Sequence, residues 1–521
     1  MGETLTELIP AVKNGIGPGF WLGEAAAFAA RNIIMERFKA IIISISLSHA
    51  IFAMVLFSLG ESCCGQIVVD YDVAPMEKNE QEALYSTIQG FVGDSWNGSD
   101  LYPDPCGWTP IQGVSCDLFD GFWYVTVLNI GPIHDNSLVC APNLEFRPQL
   151  FELRHLKSLS FFNCFQSPNK LPVSIPARSW DKLAESLESL EFRSNKGLIG
   201  TIPSSFGVLK NLESLVLLEN GLSGEIPTEI GSLIKLRRLV LAGNYFNGNI
   251  PDTFGGLKDL LIFDLSQNSL SGVLPSTLGS LTSALKIDVS HNNLEGNLPN
   301  EFANLKNLTL MDLRSNKFSG GLTLSLEEMC SLEEMVLSNN PLGGSINVLK
   351  WEKLKNLEVL ELSNMGLIGE IPESISELKK LRFLGLSDNN LTGTLSPKLE
   401  SLPSLNAIYL SGNNFIGELK FSKDFYGKLG RRFGAWNNPN LCYQIREMSS
   451  SSVPYGVKPC QQHQEEVNLV EYNSNSKILN GNVNVTSHNY ISSMGVSSHV
   501  TNGLWCSFME TMLVMCLCLV V

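Results

Sequence analysis

The side chains that could carry chemistry in this 521-residue chain do not form a catalytic constellation. The seven histidines are scattered, and the nucleophile motif G-x-S-x-G, the zinc motif H-E-x-x-H and the phosphate-binding P-loop are absent. We therefore expect no catalytic residue, no metal site and no cofactor, and we predict that the protein is not an enzyme. The chemistry that remains available is molecular recognition.

Charged and aromatic residues stand between regularly spaced leucines, and these are the candidate ligand-binding residues. Tyrosine and arginine are enriched at the energetic centres of interfaces, and charged groups supply complementarity. An acidic patch beside an arginine and aromatic patch is a surface that a peptide or protein ligand can use. The alternative is an ordinary solvated face. The candidates are Arg237, Arg238, Glu333, Glu334, Glu358, Glu361, Arg382, Phe383 and Tyr409.

A 24-residue pattern positions these side chains. It runs over residues 187–413 and reads L-x-x-L-x-L-x-x-N, then a turn and G-x-[IL]-P, as in residues 236–251. A fixed period of this length predicts a solenoid, because a single unit cannot bury its apolar face alone. The alternation L-x-L predicts one strand per unit, so that the units form a parallel sheet with leucines behind and x positions in front.

The other repeated residues have structural explanations. An asparagine amide can satisfy the turning backbone of neighbouring coils, glycine permits unusual backbone angles, and proline fixes an extended segment. The repeated asparagines are Asn195, Asn220, Asn244, Asn268, Asn292, Asn316, Asn340, Asn389 and Asn413. Aligned on them, one outward column reads Glu191, Val216, Val240, Asp264, Asp288, Asp312, Val336, Glu361, Gly385 and Tyr409. We interpret its three aspartates as part of the common L-D-L-S-x-N strand rather than as a site.

The pattern has three kinds of irregularity. Met365 and Cys164 stand where asparagine is expected. The step from Cys164 to Asn195 is seven residues longer than the usual 24, which predicts an insertion loop over residues 166–182. The turn proline is also missing late in the array, where we expect the coil to loosen or to bend differently. Its replacements are Thr323, Asn347, Ser396 and Lys420.

The N-terminal region has the layout of a secretory signal. Residues 40–59 are apolar, follow several basic residues and precede a small and polar stretch, which predicts a signal peptide over 35–66. Residues 1–34 would then be a non-native extension, and a type II membrane anchor is the alternative. The net charge of −15, with no long basic run, argues against a nucleic-acid partner.

Sequons and cysteines also fit an extracellular protein. The sequence contains N-glycosylation motifs at Asn97, Asn307, Asn390 and Asn484. Two cysteine pairs, Cys106 with Cys116 and Cys442 with Cys460, flank the repeats, where a disulfide can cover the open end of the core. Cys140 with Cys164 is a third candidate pair, although six cysteines allow fifteen pairings. Cys330 would remain as a buried free thiol.

The composition changes after the last of these cysteines. Residues 461–502 are rich in Asn, Ser, Gln and Val and are predicted to form a flexible polar stalk. Residues 503–521 are an apolar tail that ends the sequence without a kinase domain or basic cytosolic residues. We expect a GPI-attachment signal, with a transmembrane anchor as the alternative. Either would associate the protein with a membrane.

Residues 77–122 resemble the N-terminal cap of plant leucine-rich-repeat proteins. A helical pattern over 80–92 is followed by Trp96 and by a C-x-W-x-G-V-x-C motif, here stretched by three residues between Cys106 and Cys116. With the L-x-G-x-I-P turns, the chain resembles a plant receptor-like protein. It is similar to the Piriformospora indica-insensitive protein 2 group. The resemblance implies an α/β repeat solenoid, a leucine-rich-repeat horseshoe with a parallel concave β-sheet capped at both ends. Repeats would occupy 123–437, and a C-terminal cap 438–460.

Two functions follow from these features. In the first, the protein is a recognition protein at the extracellular face of the cell membrane. It binds a peptide or protein ligand on its concave face and signals through a membrane co-receptor, a kinase, in the plant response to an endophyte or another microbe. In the second, it is a secreted inhibitor of microbial cell-wall-degrading enzymes, since similar solenoids include polygalacturonase inhibitors. The apolar tail favours the first.

Overall fold

The repeats form one long parallel sheet. The computed structural model describes residues 74–132, 138–166, 172–444 and 453–460. Among them, neighbouring strands of this sheet pair in parallel, except that the first two form an antiparallel hairpin. The strands, in spatial and chain order, are Val114–Phe119, Phe122–Ile130, Ser158–Phe162, Ser189–Arg193, Ser214–Leu218, Arg238–Val240, Ile262–Asp264, Lys286–Asp288, Leu310–Asp312, Glu334–Val336, Val359–Glu361, Phe383–Gly385, Ala407–Tyr409 and Phe433–Gly434. The fold is thus the predicted leucine-rich-repeat solenoid with a concave parallel sheet.

Most coils return from this sheet through a short lateral strand and a 3₁₀-helix. The lateral strands are Val173–Ser174, Leu198–Gly200, Gly221–Glu225, Tyr245–Asn247, Ser271–Val273, Asn293–Gly296, Lys317–Phe318, Ile368–Glu370, Asn390–Thr392, Ile416–Glu418, Asn440–Tyr443 and Lys458–Pro459. The 3₁₀-helices are Pro148–Glu152, Trp180–Leu183, Ser204–Val208, Thr228–Ser232, Asp252–Gly256, Ser276–Ser280, Asn300–Asn304, Leu324–Glu328, Ile346–Val348, Trp351–Lys353, Glu373–Glu377, Pro397–Ser401 and Gly430–Arg432.

The leucine positions of the pattern build the core. Within one repeat Leu236, Leu239 and Leu241 are fully buried, and their equivalents in other repeats join them in one continuous cluster. Burial of a leucine side chain contributes about 1.5–3 kcal/mol, so the cluster is the main stabilising term. The turn proline precedes the 3₁₀-helix in the regular coils, as at Pro251 with φ −63° and ψ 133°. Its ring fixes this φ, and so it directs the chain into the helix.

The asparagine ladder connects successive coils as predicted. Asn292 donates from Nδ2 to the carbonyl oxygens of Leu265 in the preceding coil (3.0 Å) and of Val289 in its own (3.1 Å). Its Oδ1 accepts the N–H of Leu270 at 3.0 Å. Because backbone groups buried without a partner are costly, one amide stabilises two coils at once. The ladder extends one coil beyond the predicted repeats, to Asn438.

A left-handed residue precedes each ladder position, and the sequence analysis did not identify it. In every coil from Ser194 onward this residue has a positive φ, close to 55° where it is not glycine. The conformation turns the chain from the sheet into the coil and is least costly for glycine and for short polar residues. The column comprises Ser194, Glu219, Gly243, Gln267, His291, Ser315, Asn339, Asn364, Asp388, Gly412 and Asn437.

Helices and disulfides cover both ends of the core. The N-terminal helix Lys78–Val92 packs its apolar side on the first coils, and Gly98–Leu101 follows it. At the other end the helix Lys423–Leu429 carries the buried Phe425 and Tyr426. Disulfides join Cys106 to Cys116, Cys140 to Cys164 and Cys442 to Cys460, which are the three pairs that the sequence analysis considered.

The expectation for Cys330 is wrong. Its thiol is exposed rather than buried. Cys330 lies in the turn between the 3₁₀-helix Leu324–Glu328 and the next strand. This is the position that Lys258 and Lys306 hold in regular coils. The residue at this position faces solvent in each coil, so the 24-residue period could have predicted that Cys330 is exposed.

The insertion predicted over 166–182 is shorter than expected. Val173–Ser174 is already the first lateral strand and pairs with Leu198 and Ile199. Trp180 is fully buried and its ring meets that of Phe206 edge-on, with centroids 4.8 Å apart. These residues therefore belong to a regular coil that uses tryptophan in place of a smaller apolar residue.

The coils without the turn proline differ from the regular coils behind the concave sheet. The lateral strands stop at Phe318 and resume at Ile368, whereas the concave sheet pairs Leu310 with Glu334 and Glu334 with Val359 without interruption. Single backbone hydrogen bonds connect the intervening coils, such as Gly321 N–H to the Leu342 carbonyl at 2.8 Å. The predicted loosening thus occurs behind the concave face.

Several predictions concern residues outside the described ranges. They are the extension 1–34, the signal peptide 35–66, the stalk 461–502, the tail 503–521 and the sequon at Asn484.

Replacing one ladder asparagine tests the interaction between coils. Asn268 donates to the Leu241 carbonyl (2.9 Å) and accepts from the Phe246 N–H (3.0 Å), so Asn268→Ala leaves groups of two coils without partners. We expect the free energy of unfolding to fall by about 1–3 kcal/mol, measured by denaturant titration. Asn304→Ala, at the exposed end of a 3₁₀-helix, is the matched control. It should change the free energy of unfolding by less than about 0.5 kcal/mol. Equal effects of the two variants would contradict the ladder's role.

Glu80 makes the N-terminal cap sensitive to pH. The side chain is buried and accepts the Val125 N–H at 3.1 Å. Burial, opposed by this hydrogen bond and assisted by the charge of Glu77, raises the pKa of Glu80 from 4.5 to about 7. The native state thus binds this proton more tightly than the unfolded chain. We therefore expect stability to be lost as the pH rises from about 4.5 to 7, by at most about 3 kcal/mol.

Glu80→Gln keeps the acceptor and removes the charge. Melting curves at pH 5 and pH 8 should differ less for this variant than for the wild type. Glu82→Gln, on the exposed side of the same helix, should retain the wild-type difference. If the melting temperature of Glu80→Gln differs between pH 5 and pH 8 as much as that of the wild type, the Glu80 carboxyl is not the cause of the pH dependence.

Candidate ligand-binding surface

The candidate residues project from the front of the concave sheet. Strand pairing aligns Arg238 with Ile262 and Lys286, and Val240 with Asp264 and Asp288, so outward side chains form columns across the coils. The outward column predicted from the sequence, from Glu191 to Tyr409, is continuous in the structure. Adjacent members lie on neighbouring strands, about 4.8 Å apart. Side chains distant in sequence thereby form one surface.

The structure separates the nine candidates into two groups. Seven lie on four consecutive strands, from Glu334–Val336 to Ala407–Tyr409, or directly before them. Arg237 and Arg238 lie apart, with three strands between them and this group. The nine candidates therefore do not form one continuous patch.

An apolar patch lies on the strand of Arg238 and on the two strands beside it. Val216, Val240 and Ala242 are buried on the front of the sheet, away from the leucine core, and Leu218 and Ile262 pack against them. These residues come from three neighbouring coils. The sequence analysis included Val216 and Val240 in its column but did not recognise the patch, because valine and alanine there also suit an ordinary strand.

Charged residues between the two groups form ion pairs with one another. Lys286 places Nζ 2.8 Å from an Asp264 carboxylate oxygen and 3.4 Å from one of Asp288. Burial opposes the charge of Lys286, but the two carboxylates outweigh it and raise the pKa of Lys286. Asp264 and Asp288 also accept the N–H and hydroxyl of the serine two residues later, for example Ser266 at 3.1 and 2.7 Å. This supports a structural role for the aspartates of the L-D-L-S pattern.

Asp312 is the most deeply buried of these carboxylates. It lies 3.2 Å from Arg314 Nε. Burial first, and the charge of Asp288 second, raise the pKa of Asp312 to about 7 although Arg314 opposes the shift. A carboxyl with such a pKa can exchange a proton near neutrality, but its partners are the side chains of its own sheet. It therefore contributes charge to the surface rather than acid–base chemistry.

The C-terminal group begins with carboxylates. Burial, and then repulsion from Glu358 and Glu333, raise the pKa of Glu334. Glu358 pairs with Arg382, 3.2 Å away, and Glu361 accepts the N–H of Ser363 at 2.9 Å. Glu333 and Arg382 are exposed, and the other three are half-buried. The acidic side chains are thus close enough to repel one another, and only one of them pairs with Arg382.

Aromatic rings follow the carboxylates. The rings of Phe383 and Tyr409 lie 5.7 Å apart, and those of Trp436 and Tyr455 lie 5.9 Å apart. Gly434 brings the two pairs together, because a Cβ there would lie 2.8 Å from the Tyr409 ring and 2.7 Å from the Trp436 ring. None of the four rings belongs to the leucine core or packs against it. They form an accessible aromatic surface at the end of the sheet.

Trp436 and Tyr455 were not among the sequence candidates. Trp436 lies in the last coil, where G-A-W-N-N has no leucines and the repeat pattern is hard to recognise. Its ladder residue, Asn438, comes 25 residues after Asn413 and was the available signal. Tyr455 reaches the surface only because the Cys442–Cys460 disulfide folds the cap back, so no sequence signal indicated it.

The sequons within the described ranges are all exposed, at Asn97, Asn307 and Asn390. None of them lies on a strand of the concave sheet. Asn97 is the N-cap of a short helix, Asn307 lies in a turn before a concave strand, and Asn390 starts a lateral strand.

Three family models of leucine-rich repeats match parts of this chain. One, "leucine rich repeat", matches residues 234–294 and another, of two copies, matches 379–424. A third matches 285–305 and 356–378. These segments lie within the array of coils seen in the structure.

Two curated plant proteins are similar to parts of the chain. Piriformospora indica-insensitive protein 2 of Arabidopsis thaliana is 59% identical over 172 residues, which cover 32% of this chain. Receptor like protein 29 of Arabidopsis thaliana is 34% identical over 153 residues, which cover 28% of this chain. The matched segments span 40% and 31% of these relatives' own lengths.

Solved plant receptors share the fold. A TDR receptor has a TM-score of 0.50 and 30% identity over 57% of this chain and 54% of its own. The PEPR1–AtPEP1 complex has a TM-score of 0.54 at 24% identity, over 70% of this chain and 56% of that chain. No helix in the described ranges has the length and apolar character needed to cross a membrane. The chain has the leucine-rich-repeat fold and, over 32% of its length, resembles the plant protein Piriformospora indica-insensitive protein 2.

Proposed function

We propose that this chain is a non-enzymatic recognition protein at the extracellular face of the plant cell membrane. It binds a peptide or protein ligand on the concave sheet and signals through a membrane partner, a kinase co-receptor. The observation that carries the proposal is the aromatic surface of Phe383, Tyr409, Trp436 and Tyr455, which the leucine core does not need. Tyr455 is exposed and the other three rings are half-buried. Partly exposed aromatic side chains on a rigid solenoid offer large contact areas at little entropic cost.

The neighbouring carboxylates supply specificity for such a ligand. Glu333, Glu334, Glu358 and Glu361 lie on the two strands before Phe383 or beside them. Arg382 pairs with Glu358, and the charge of Lys286 partly offsets that of Glu334. A ligand that contacts the rings therefore meets a negative potential on one side. Electrostatic complementarity of this kind selects partners and raises association rates.

The likeness to a solved receptor supports a recognition function, and we propose a peptide as the ligand class. PEPR1–AtPEP1 shares the fold of this chain, and the TDR receptor shares both the fold and 30% of the aligned residues. The name of the relative Piriformospora indica-insensitive protein 2 leads us to propose a role in the response to a root endophyte or another microbe.

Selection from a displayed random peptide library on the full-length protein tests recognition by this surface. We expect enriched peptides to bind the double variant Phe383→Ala, Tyr409→Ala about 30-fold or more weakly, because interface aromatics typically contribute about 2 kcal/mol or more. The melting temperature should stay near the wild-type value, since neither ring packs on the core. Arg382→Glu should also alter binding without unfolding the protein.

Tyr245→Ala is the matched control, since Tyr245 is an exposed aromatic residue on a lateral strand. It should leave binding unchanged. The proposal fails if no peptide is enriched, or if Tyr245→Ala weakens binding as much as the double variant does. In a plant line that lacks the protein, rescue of the growth response to the endophyte by wild type but not by the double variant tests the microbial role.

Membrane attachment separates this function from secreted inhibition of polygalacturonases. We expect the protein in the membrane fraction, with release by phosphatidylinositol-specific phospholipase C. Retention after this treatment would favour a spanning tail that pairs with the co-receptor in the membrane. A protein that is soluble before treatment, and that inhibits a microbial polygalacturonase, would instead establish the inhibitor function.

A further inference from the structure

Arg238 differs from the other arginines of the concave face. Its Nε is fully enclosed and forms no hydrogen bond, and the guanidinium forms no ion pair with any residue that the structure describes. Arg193 pairs with Glu191 at 2.8 Å, and Arg314 and Arg382 pair with Asp312 and Glu358. Since a half-buried guanidinium without an ion pair is costly, Arg238 can accept a carboxylate partner that the described residues do not supply.

The nearest carboxylates are already engaged. Glu191 pairs with Arg193, and Asp264 binds Lys286 at 2.8 Å and the Ser266 hydroxyl at 2.7 Å. Burial, and then the like charge of Arg193, lower the pKa of Arg238, which reflects an environment that disfavours its charge. Ser214, aligned with Arg238 on the neighbouring strand, also has an enclosed hydroxyl without a partner among the described residues.

Apolar side chains lie on the same strands as Arg238. Val216, Val240 and Ala242 are buried in this patch, and Leu218 and Ile262 are its half-buried members. A carboxylate that reached the guanidinium would therefore be held in a partly dehydrated site, where a charge-assisted hydrogen bond is strong. An aliphatic side chain next to that carboxylate would cover the patch.

We propose that Arg238 binds the side-chain carboxylate of an aspartate or glutamate in the peptide ligand, next to an aliphatic residue that packs on the half-buried Leu218 and Ile262. The proposal rests on the proposed function and specifies the ligand. An internal acidic residue fits better than a chain terminus, because the sheet continues on both sides of the strand Arg238–Val240. A ligand lying along the sheet would extend in both directions.

The strand order also relates this subsite to the aromatic surface. Arg238 and Phe383 occupy equivalent positions six strands apart. At about 4.8 Å per strand the separation is roughly 29 Å, which an extended peptide crosses in roughly nine residues. A ligand that uses both sites therefore carries its acidic residue roughly nine positions from the residue that contacts Phe383 and Tyr409.

The library selection described above, with peptides fused to the carrier through their C-termini, tests the proposal. On the wild-type protein we expect enrichment of peptides with Asp or Glu beside Leu, Ile or Val. These peptides should bind the variant Arg238→Gln about tenfold or more weakly. Arg178→Gln, which changes an exposed arginine outside the concave sheet, should leave their affinity unchanged.

The outcomes distinguish this inference from the function on which it rests. Peptides that depend on Phe383 and Tyr409 but show no acidic preference, or bind Arg238→Gln normally, would overturn the inference and leave the proposed function intact. Enrichment of no peptide at all would overturn both. An acidic preference that appears only with a free peptide C-terminus would reject the side chain as the source of the carboxylate.

A stability measurement separates a ligand-binding arginine from a structural one. Arg238→Leu removes an uncompensated cation and extends the apolar patch, so we expect the melting temperature to rise by about 1–3 °C. Arg314→Leu, which leaves Asp312 without its ion-pair partner, should lower it. A lower melting temperature for Arg238→Leu would show that Arg238 stabilises the coil, and would contradict the proposal.

Discussion

The structure depends on the hydrogen bonds that each ladder asparagine makes to two coils. The leucines supply most of the stabilising free energy, but they are not directional and do not set the spacing of the coils. The asparagine amide does, because its donors and acceptor meet backbone groups only when adjacent coils are in register. The continuous concave sheet, and the alignment of outward side chains into columns, follow from this repeated contact.

Much of the fold could be predicted because the period is visible in the sequence. Leucines 24 residues apart specify the core, and L-x-L specifies which residues face outward, so the column from Glu191 to Tyr409 needed no structure. The prediction was less successful where other residues replaced the repeated ones. Trp180 takes an apolar position within an apparent insertion, and the coil of the ladder residue Asn438 has Phe433 and Ala435 at its L-x-L positions. A pattern that requires leucine at these positions includes neither coil.

The candidate site was predictable only in part, for a different reason. The sequence shows which side chains face outward, but it does not show which of them already form ion pairs or hydrogen bonds within the protein. Asp264 and Asp288 are engaged by their own strands and by Lys286, whereas Arg238 has no counter-ion among the described residues. In the sequence, paired and unpaired charged residues look the same, because both stand between leucines. The distinction requires distances between neighbouring coils, and the aromatic surface likewise requires the path of the C-terminal cap.

The left-handed residue before each ladder asparagine limits how such a protein can diversify. Ser, Glu, Gly, Gln, His, Asn and Asp occur there, and β-branched or bulky apolar residues do not. The backbone thus restricts which amino acids can occupy one edge of the concave face, whatever ligand the protein binds. Evolution of new specificity is left to the outward strand positions, where Arg238, Phe383 and Tyr409 stand. Chains of this architecture can therefore exchange ligands through a few substitutions per coil while the scaffold sequence stays nearly constant.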